Sequence, residues 1–149
     1  MRAVAQRVRS VRVTAGDELV CEQGPGLLAL VGVGHGDDAA SAAELARKLV
    51  YLRIFNDADE RMNRSLLDTG GTLGVVSQFT LFGDARQGRR PAFVEAARPE
   101  HAAPLVDAVV EAARGHGAHV VTARFQAMMQ VTLVNDGPVT LLLDTEKRF

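Results

Sequence analysis

Ser77-Gln78-Phe79-Thr80-Leu81-Phe82-Gly83 is the stretch of this 149-residue chain best placed to do chemistry. Leu73 to Val76 reads as a buried strand that turns polar at its end, and Gly83-Asp84 lets the chain turn away. Polar side chains and freed backbone N–H groups at a strand terminus can bind an oxyanion or a ligand carbonyl. A strand that merely ends in hydrogen-bonded Ser and Thr would look the same locally. The second stretch is Asn135-Asp136-Gly137-Pro138, set between the β-branched, apolar runs Val131 to Val134 and Val139 to Leu143. It reads as two strands joined at a tight reversal. Gly137 lets another group approach the backbone because it lacks a Cβ, and Pro138 brings an X-Pro bond whose cis form costs only about 0.5–1 kcal/mol. Together they could present two carbonyls from a rigid point, although a simple β-turn accounts equally for that dipeptide.

Side chains that usually drive hydrolysis are poorly arranged. His35 and His116 lie in glycine-flanked loops, His101 begins a helix and His119 begins a strand; none has the HxxxH or HxH spacing of a metal site. No serine sits in a GxSxG elbow. Asp37-Asp38 reads as a helix start and Asp57, Asp59 and Glu60 as a solvated turn, not as paired catalytic acids or a calcium loop. Cys21 is the only cysteine, so an internal disulfide and a cysteine metal cluster are excluded. No metal or cofactor is expected. Neither GxGxxG nor GxxxxGK[ST] follows a strand, which disfavours a nucleotide-binding enzyme of those classes.

A chain of this length forms one domain, residues 1–149, with a real core. The apolar runs are far too short to cross a bilayer and no signal-like segment opens the chain, so a cytoplasmic protein is expected. Net charge is −1, which makes no global case for nucleic-acid binding. Local charge is uneven: Arg2, Arg7, Arg9 and Arg12 precede the first acid, and Arg86, Arg89 and Arg90 cluster around one glycine. Arginine suits forked phosphate contacts, although its abundance here equally fits a GC-rich genome.

The elements that must position these residues follow from periodicity. Residues 3 to 13 form a strand whose phase slips near Arg9-Ser10, as a bulge would make it. Strands are expected over 18–22 and 27–33, then a helix opened by Asp37-Asp38 and a Ser41-to-Glu44 capping box, with Leu45, Leu49 and Leu52 on one stripe. Arg53 to Phe55 reads as a short strand. Ser65 to Asp68 and Thr72 to Phe79 read as a strand pair, and Pro91 to Ala97 as a short helix. A longer helix to Gly115 begins either near Pro104 or at Pro99 with a kink. Ala118 to Ala123 returns as a strand. The order argues for an α+β arrangement: a mixed, partly barrel-like sheet with helices packed outside.

Ser77-Gln78-Phe79-Thr80-Leu81 together with Asn135 to Thr140 resembles the two signature motifs of the D-aminoacyl-tRNA deacylase family. Gln6-Arg7-Val8, Gly26-Leu27-Leu28, Tyr51 to Phe55, Met62-Asn63 and Arg90-Pro91 are similar to that family at similar spacings, so the resemblance covers essentially the whole chain. It implies a homodimer that hydrolyses the ester joining a D-amino acid to the 3′ end of tRNA, with no membrane or DNA partner. It implies that amides near Phe79 and Thr80 hold the ester carbonyl, that Ser77 and Gln78 shape the pocket, and that Phe125 and Met129 line it. It further implies that Gly137-Pro138, cis in the family, enters the partner's pocket and excludes an L side chain, with Arg7 supporting that turn. The family is thought to use the tRNA 2′-hydroxyl, so no histidine is required. Ala123 and Met128 depart from the glycine and the acid common there. The alternatives are a relaxed-chirality editing hydrolase with a trans Gly-Pro bond, and a catalytically degenerate RNA-binding dimer.

Overall fold

Residues 1–149 are described by a computed structural model. Strand β1 (Arg2–Ala15) is the spine. Along one edge it pairs antiparallel with β2 (Glu18–Gln23) at its far end and with β3 (Gly26–Gly32) at its near end. Parallel pairing continues from β3 to β6 (Thr72–Ser77) and from β6 to β7 (His119–Thr122). Along its other edge β1 carries β8 (Gln130–Asp144). The connection from β3 to β6 contains helix α1 (Ala39–Tyr51), a small ribbon of β4 (Phe55–Asn56) and β5 (Met62–Arg64), and the one-turn helix α2 (Leu66–Thr69). Helix α3 (Pro99–Gly115) links β6 to β7. The sheet is mixed and partly barrel-like, with the helices outside, as the periodicity predicts.

Parallel strands need crossovers, and the two long helices both cover the same face. Leu45 and Leu49 of α1 and Leu105, Val109 and Val110 of α3 join Leu27, Val31, Leu73 and Val75 of the sheet in the main core. Each such side chain contributes about 1.5–3 kcal/mol through burial. A smaller cluster of Val8, Val11, Val13, Leu28 and Val76 fills the opposite, curled side.

Several local expectations are corrected. The N-cap of α1 is Asp38, in a reciprocal box with Ser41, so the box lies three residues before the Ser41-to-Glu44 pattern. Leu52 caps the helix and is half-buried. Ser65 to Asp68 is not a strand: the Ser65 hydroxyl accepts from the Asp68 N–H and the Asp68 carboxylate accepts from the Ser65 N–H, a capping box that starts α2. Local side-chain bonds outcompete pairing there. Pro91 to Ala97 forms no helix; Ala92 instead bridges back to Asp84. Of Arg53 to Phe55, only Phe55 is in a strand. Helix α3 begins at Pro99 and retains Pro104 inside it.

The largest correction concerns the end of the chain. Asn135 to Pro138 is not a reversal. Val131 to Val134 pair with Val13 to Ser10, and Thr140 to Asp144 pair with Gln6 to Arg2, so the chain runs on in one direction along β1. Four residues, Asp136 to Val139, are looped out opposite Arg7 alone. The phase slip near Arg9 is real: the register shifts between Val8 and Ser10.

Candidate functional site

Strand β6 carries four fully buried residues, Leu73 to Val76, and then stops. Its last sheet bond is Gln78 N–H to the Val31 carbonyl, 2.7 Å. Beyond it β3 also ends, because Val33 turns away to accept from Ala97 N–H at 2.9 Å. With no neighbour left to pair with, Phe79–Phe82 coils into a single 3₁₀ turn, so the strand expected to reach Phe79 ends at Ser77. The turn packs directly on β3: a Cβ on Gly32 would stand 3.0 Å from the Gln78 carbonyl oxygen and 3.1 Å from Leu81 Cβ. Arg2 fastens the other side, donating from Nη1 to the Leu81 carbonyl at 3.1 Å while its guanidinium lies 4.4 Å from the Phe82 ring centre.

The first N–H groups of any helical turn have no partner within it. Here the Phe79 and Thr80 amides find no acceptor in the protein. Phe79 lines, and Thr80 directly follows in the chain, a groove of about 600 Å³ whose wall includes Ser77, Gln78 and Phe79 from the strand end, Pro99 and Ala102 from the start of α3, and Phe125 and Met129 from the loop before β8. Ten of its fourteen lining residues are hydrophobic, so two free donors sit beside a largely apolar slot. Thr80 does not line the groove; its hydroxyl accepts a short hydrogen bond from Gln78 Nε2.

Three of the four histidines are occupied elsewhere: His35 Nε2 bonds to the Val94 carbonyl, His101 Nε2 to the Asp37 carbonyl, and His116 Nδ1 meets the Tyr51 hydroxyl. None lines the groove. The Cys21 thiol is pushed up by burial, which removes it further from thiolate chemistry. No group of His, Cys, Asp and Glu residues is arranged to hold a metal. Thr80 has no base beside it. Thr80→Ala is therefore expected to retain activity within about tenfold of wild type; complete loss in a folded, tRNA-binding variant would mean that Thr80 is a nucleophile.

The second motif lies apart from this groove. Arg7, only 8% exposed, donates from Nη1 to the Ile54 carbonyl at 2.8 Å and from Nε to the Asp136 carbonyl at 3.1 Å. Asn135 closes the looped-out segment, accepting from Val139 N–H at 3.1 Å and donating to the Thr140 hydroxyl at 3.0 Å. Gly137 and Pro138 are thereby held exposed, and the peptide between them is cis. Gly137 has φ +126°, and a Cβ there would meet Val139 Cγ2 at 2.7 Å. Within one chain, then, Ser77, Gln78, Phe79, Phe125 and Met129 come together, whereas Arg7, Gly137 and Pro138 do not join them. Sequence reasoning missed Ala97, Pro99, Ala102 and Gln126 as groove residues. Gln126 has φ +59°, and a turn of that kind had no visible signature.

An apolar slot with backbone donors and no activated side-chain nucleophile stands at the end of a strand in a mixed sheet, an arrangement suited to holding a carbonyl group. The comparisons make this specific. A profile of the D-Tyr-tRNA(Tyr) deacylase family matches residues 4–144. A D-aminoacyl-tRNA deacylase of Symbiobacterium thermophilum is 55% identical over 149 residues, covering all of this chain and 99% of the relative, and one of Thermus aquaticus is 52% identical, covering 99% and 97%. Two solved structures share the fold. A c-Myc DNA unwinding element binding protein superposes with TM-score 0.91 at 33% identity, covering 97% of this chain and 99% of the other. A probable eukaryotic D-amino acid tRNA deacylase superposes with TM-score 0.81 at 16% identity, covering 95% and 97%. The chain belongs to the D-Tyr-tRNA(Tyr) deacylase family, and it is a hydrolase of aminoacyl-tRNA esters. No helix is long and apolar enough to cross a membrane.

Proposed function

We propose that this enzyme removes D-amino acids from tRNA in the cytoplasm as a symmetric homodimer, using the Phe79 and Thr80 amides to stabilise the reaction. The observation that carries the chemistry is the pair of unengaged amides beside the apolar groove. When water adds to the ester carbonyl, negative charge gathers on its oxygen. Two fixed N–H donors aimed at that oxygen supply a few kcal/mol without any titratable group. The carbon–oxygen bond to the ribose then breaks, and the 3′-oxygen takes up a proton. The neighbouring 2′-hydroxyl of the substrate itself is positioned to assist water, so no protein base is needed.

Chiral selection is assigned to Gly137-Pro138 of a partner subunit. Asn135 lies four residues beyond the groove residue Val131, about 13 Å along the strand, so the looped-out segment lies outside its own groove. Strand β8 is an edge, and Val131, Val134 and Leu142 on it are 36%, 50% and 61% exposed. A second copy covering that edge would bury the apolar side chains and bring Gly137-Pro138 to a groove. Rejection near Cα is the only means that serves many D side chains, because their sizes and polarities differ. Achiral glycine has no Cβ to collide, so glycyl-tRNA is also hydrolysed to some extent.

The deciding experiment is deacylation of matched D- and L-aminoacyl-tRNA, run alongside the solution mass. A dimer with fast D and almost no L hydrolysis is expected. Comparable D and L rates would select the relaxed-chirality reading, tRNA binding without hydrolysis the degenerate one, and an active monomer would end the cross-subunit filter.

A further inference from the structure

Three exposed arginines, one adjoining groove residues in the chain and two on the loop that leads to Phe93, form no ion pair, although the chain as a whole carries a net charge of −1. Arg98 falls between the groove residues Ala97 and Pro99 and is exposed. Arg89 and Arg90 are exposed on the loop between Asp84 and Ala92, whose ends are clamped by two backbone bonds of 2.7 and 2.9 Å. That loop leads directly into Phe93, whose ring packs edge-on against the groove residue Phe79 at 5.1 Å. Of the acids near these arginines, Glu100 in the first turn of α3 is exposed and in no ion pair, and two others are engaged elsewhere. Asp84 is held by Arg86, 2.6 Å away, and Glu95 faces Arg2 at 4.0 Å and Arg148 at 3.3 Å. Arg89, Arg90 and Arg98 form no ion pair and no hydrogen bond through their side chains.

We infer that Arg89, Arg90 and Arg98 form a phosphate-binding rim that holds the single-stranded 3′ end of the tRNA as its terminal ester enters the groove. This rests on the proposed function and extends it from the ester to the polynucleotide. Guanidinium groups match phosphate oxygens in a forked geometry, and three without ion pairs favour a polyanion running past the mouth of a slot for a nucleotide ester. Arg86 is excluded from the rim. Its guanidinium is spent on Asp84, while the loop is closed by the two backbone bonds between Asp84 and Ala92.

The test compares wild type with R89A/R90A/R98A, R89K/R90K/R98K and R86A on two esters, D-tyrosyl-tRNA and D-tyrosyl-adenosine, which has no phosphate. The triple alanine variant is expected to lose kcat/KM on the tRNA ester while hydrolysing the adenosine ester within about twofold of wild type. Three lost contacts to a single strand reduce the log–log salt slope by about 2, so its deficit shrinks by about 20-fold between roughly 50 and 200 mM salt. The lysine variant should keep most of the slope, and R86A should keep it all. Equal losses on both esters, or none on the tRNA ester, overturn the rim. If wild type hydrolyses neither ester, the proposed function fails, and binding of uncharged tRNA still decides the rim: salt-dependent weakening in the triple alanine variant alone supports it, and unchanged binding overturns it.

Discussion

Phe79→Pro is expected to lower kcat for D-aminoacyl-tRNA by about 10²–10³-fold relative to Phe79→Ala, the loss associated with one oxyanion donor. The substitution is a clean way to delete a single N–H. Residue 79 opens the 3₁₀ turn, where proline's fixed φ is tolerated. Gln78 before it has φ −145° and ψ 81°, outside the helical region that a following proline disfavours. Alanine at 79 removes the same ring but keeps the amide, so the difference between the two variants isolates the donor from the Phe79–Phe93 packing. Single-turnover rates with saturating enzyme are the measurement. Equal rates for the two variants, with both folded, would exclude the Phe79 amide from the reaction and force the search back to side chains.

Gly137→Ala is expected to collapse chiral selection by about 10²-fold, mainly through a rise in L-ester hydrolysis relative to D. The reason is steric. At φ +126° an L side chain is strained, and the new Cβ would lie 2.7 Å from Val139 Cγ2 and 3.0 Å from Arg7 Nη2. Val139 is part of the buried core and Arg7 is fixed by the Ile54 and Asp136 carbonyls, so neither neighbour yields readily. The looped-out segment must move instead, and with it the carbonyls proposed to stand near the partner's substrate. Loss of a clash releases the disfavoured isomer more than it harms the favoured one. D and L rates on tRNA charged with the same amino acid, together with the solution mass, are the readout. An unchanged ratio in a dimeric variant would separate selection from Gly137.

What the sequence determined by itself was whatever depends on local chemistry and periodicity. The buried run Leu73 to Val76 and its polar end, the stripe of Leu45 and Leu49 and the slip near Arg9 are all visible in residue order, because each is decided within a few neighbours. Some local contests run against their surroundings: Ser65 to Asp68 has strand-like neighbours, yet one reciprocal pair of side-chain bonds starts a helix there. Tertiary structure alone decided the course of Asn135 to Pro138. Turn-forming residues between two apolar runs fit a reversal and a looped-out segment equally, and the choice rests on β1, whose 14 residues are long enough to pair with both runs in succession. It also decided the groove. Phe125 and Met129 meet Ser77 to Phe79 across some fifty residues of chain because α3 carries the backbone over the sheet and back, and the Phe79 and Thr80 amides are free only because β3 ends before them. Separation in sequence carries no distance information until the pairing of strands supplies it.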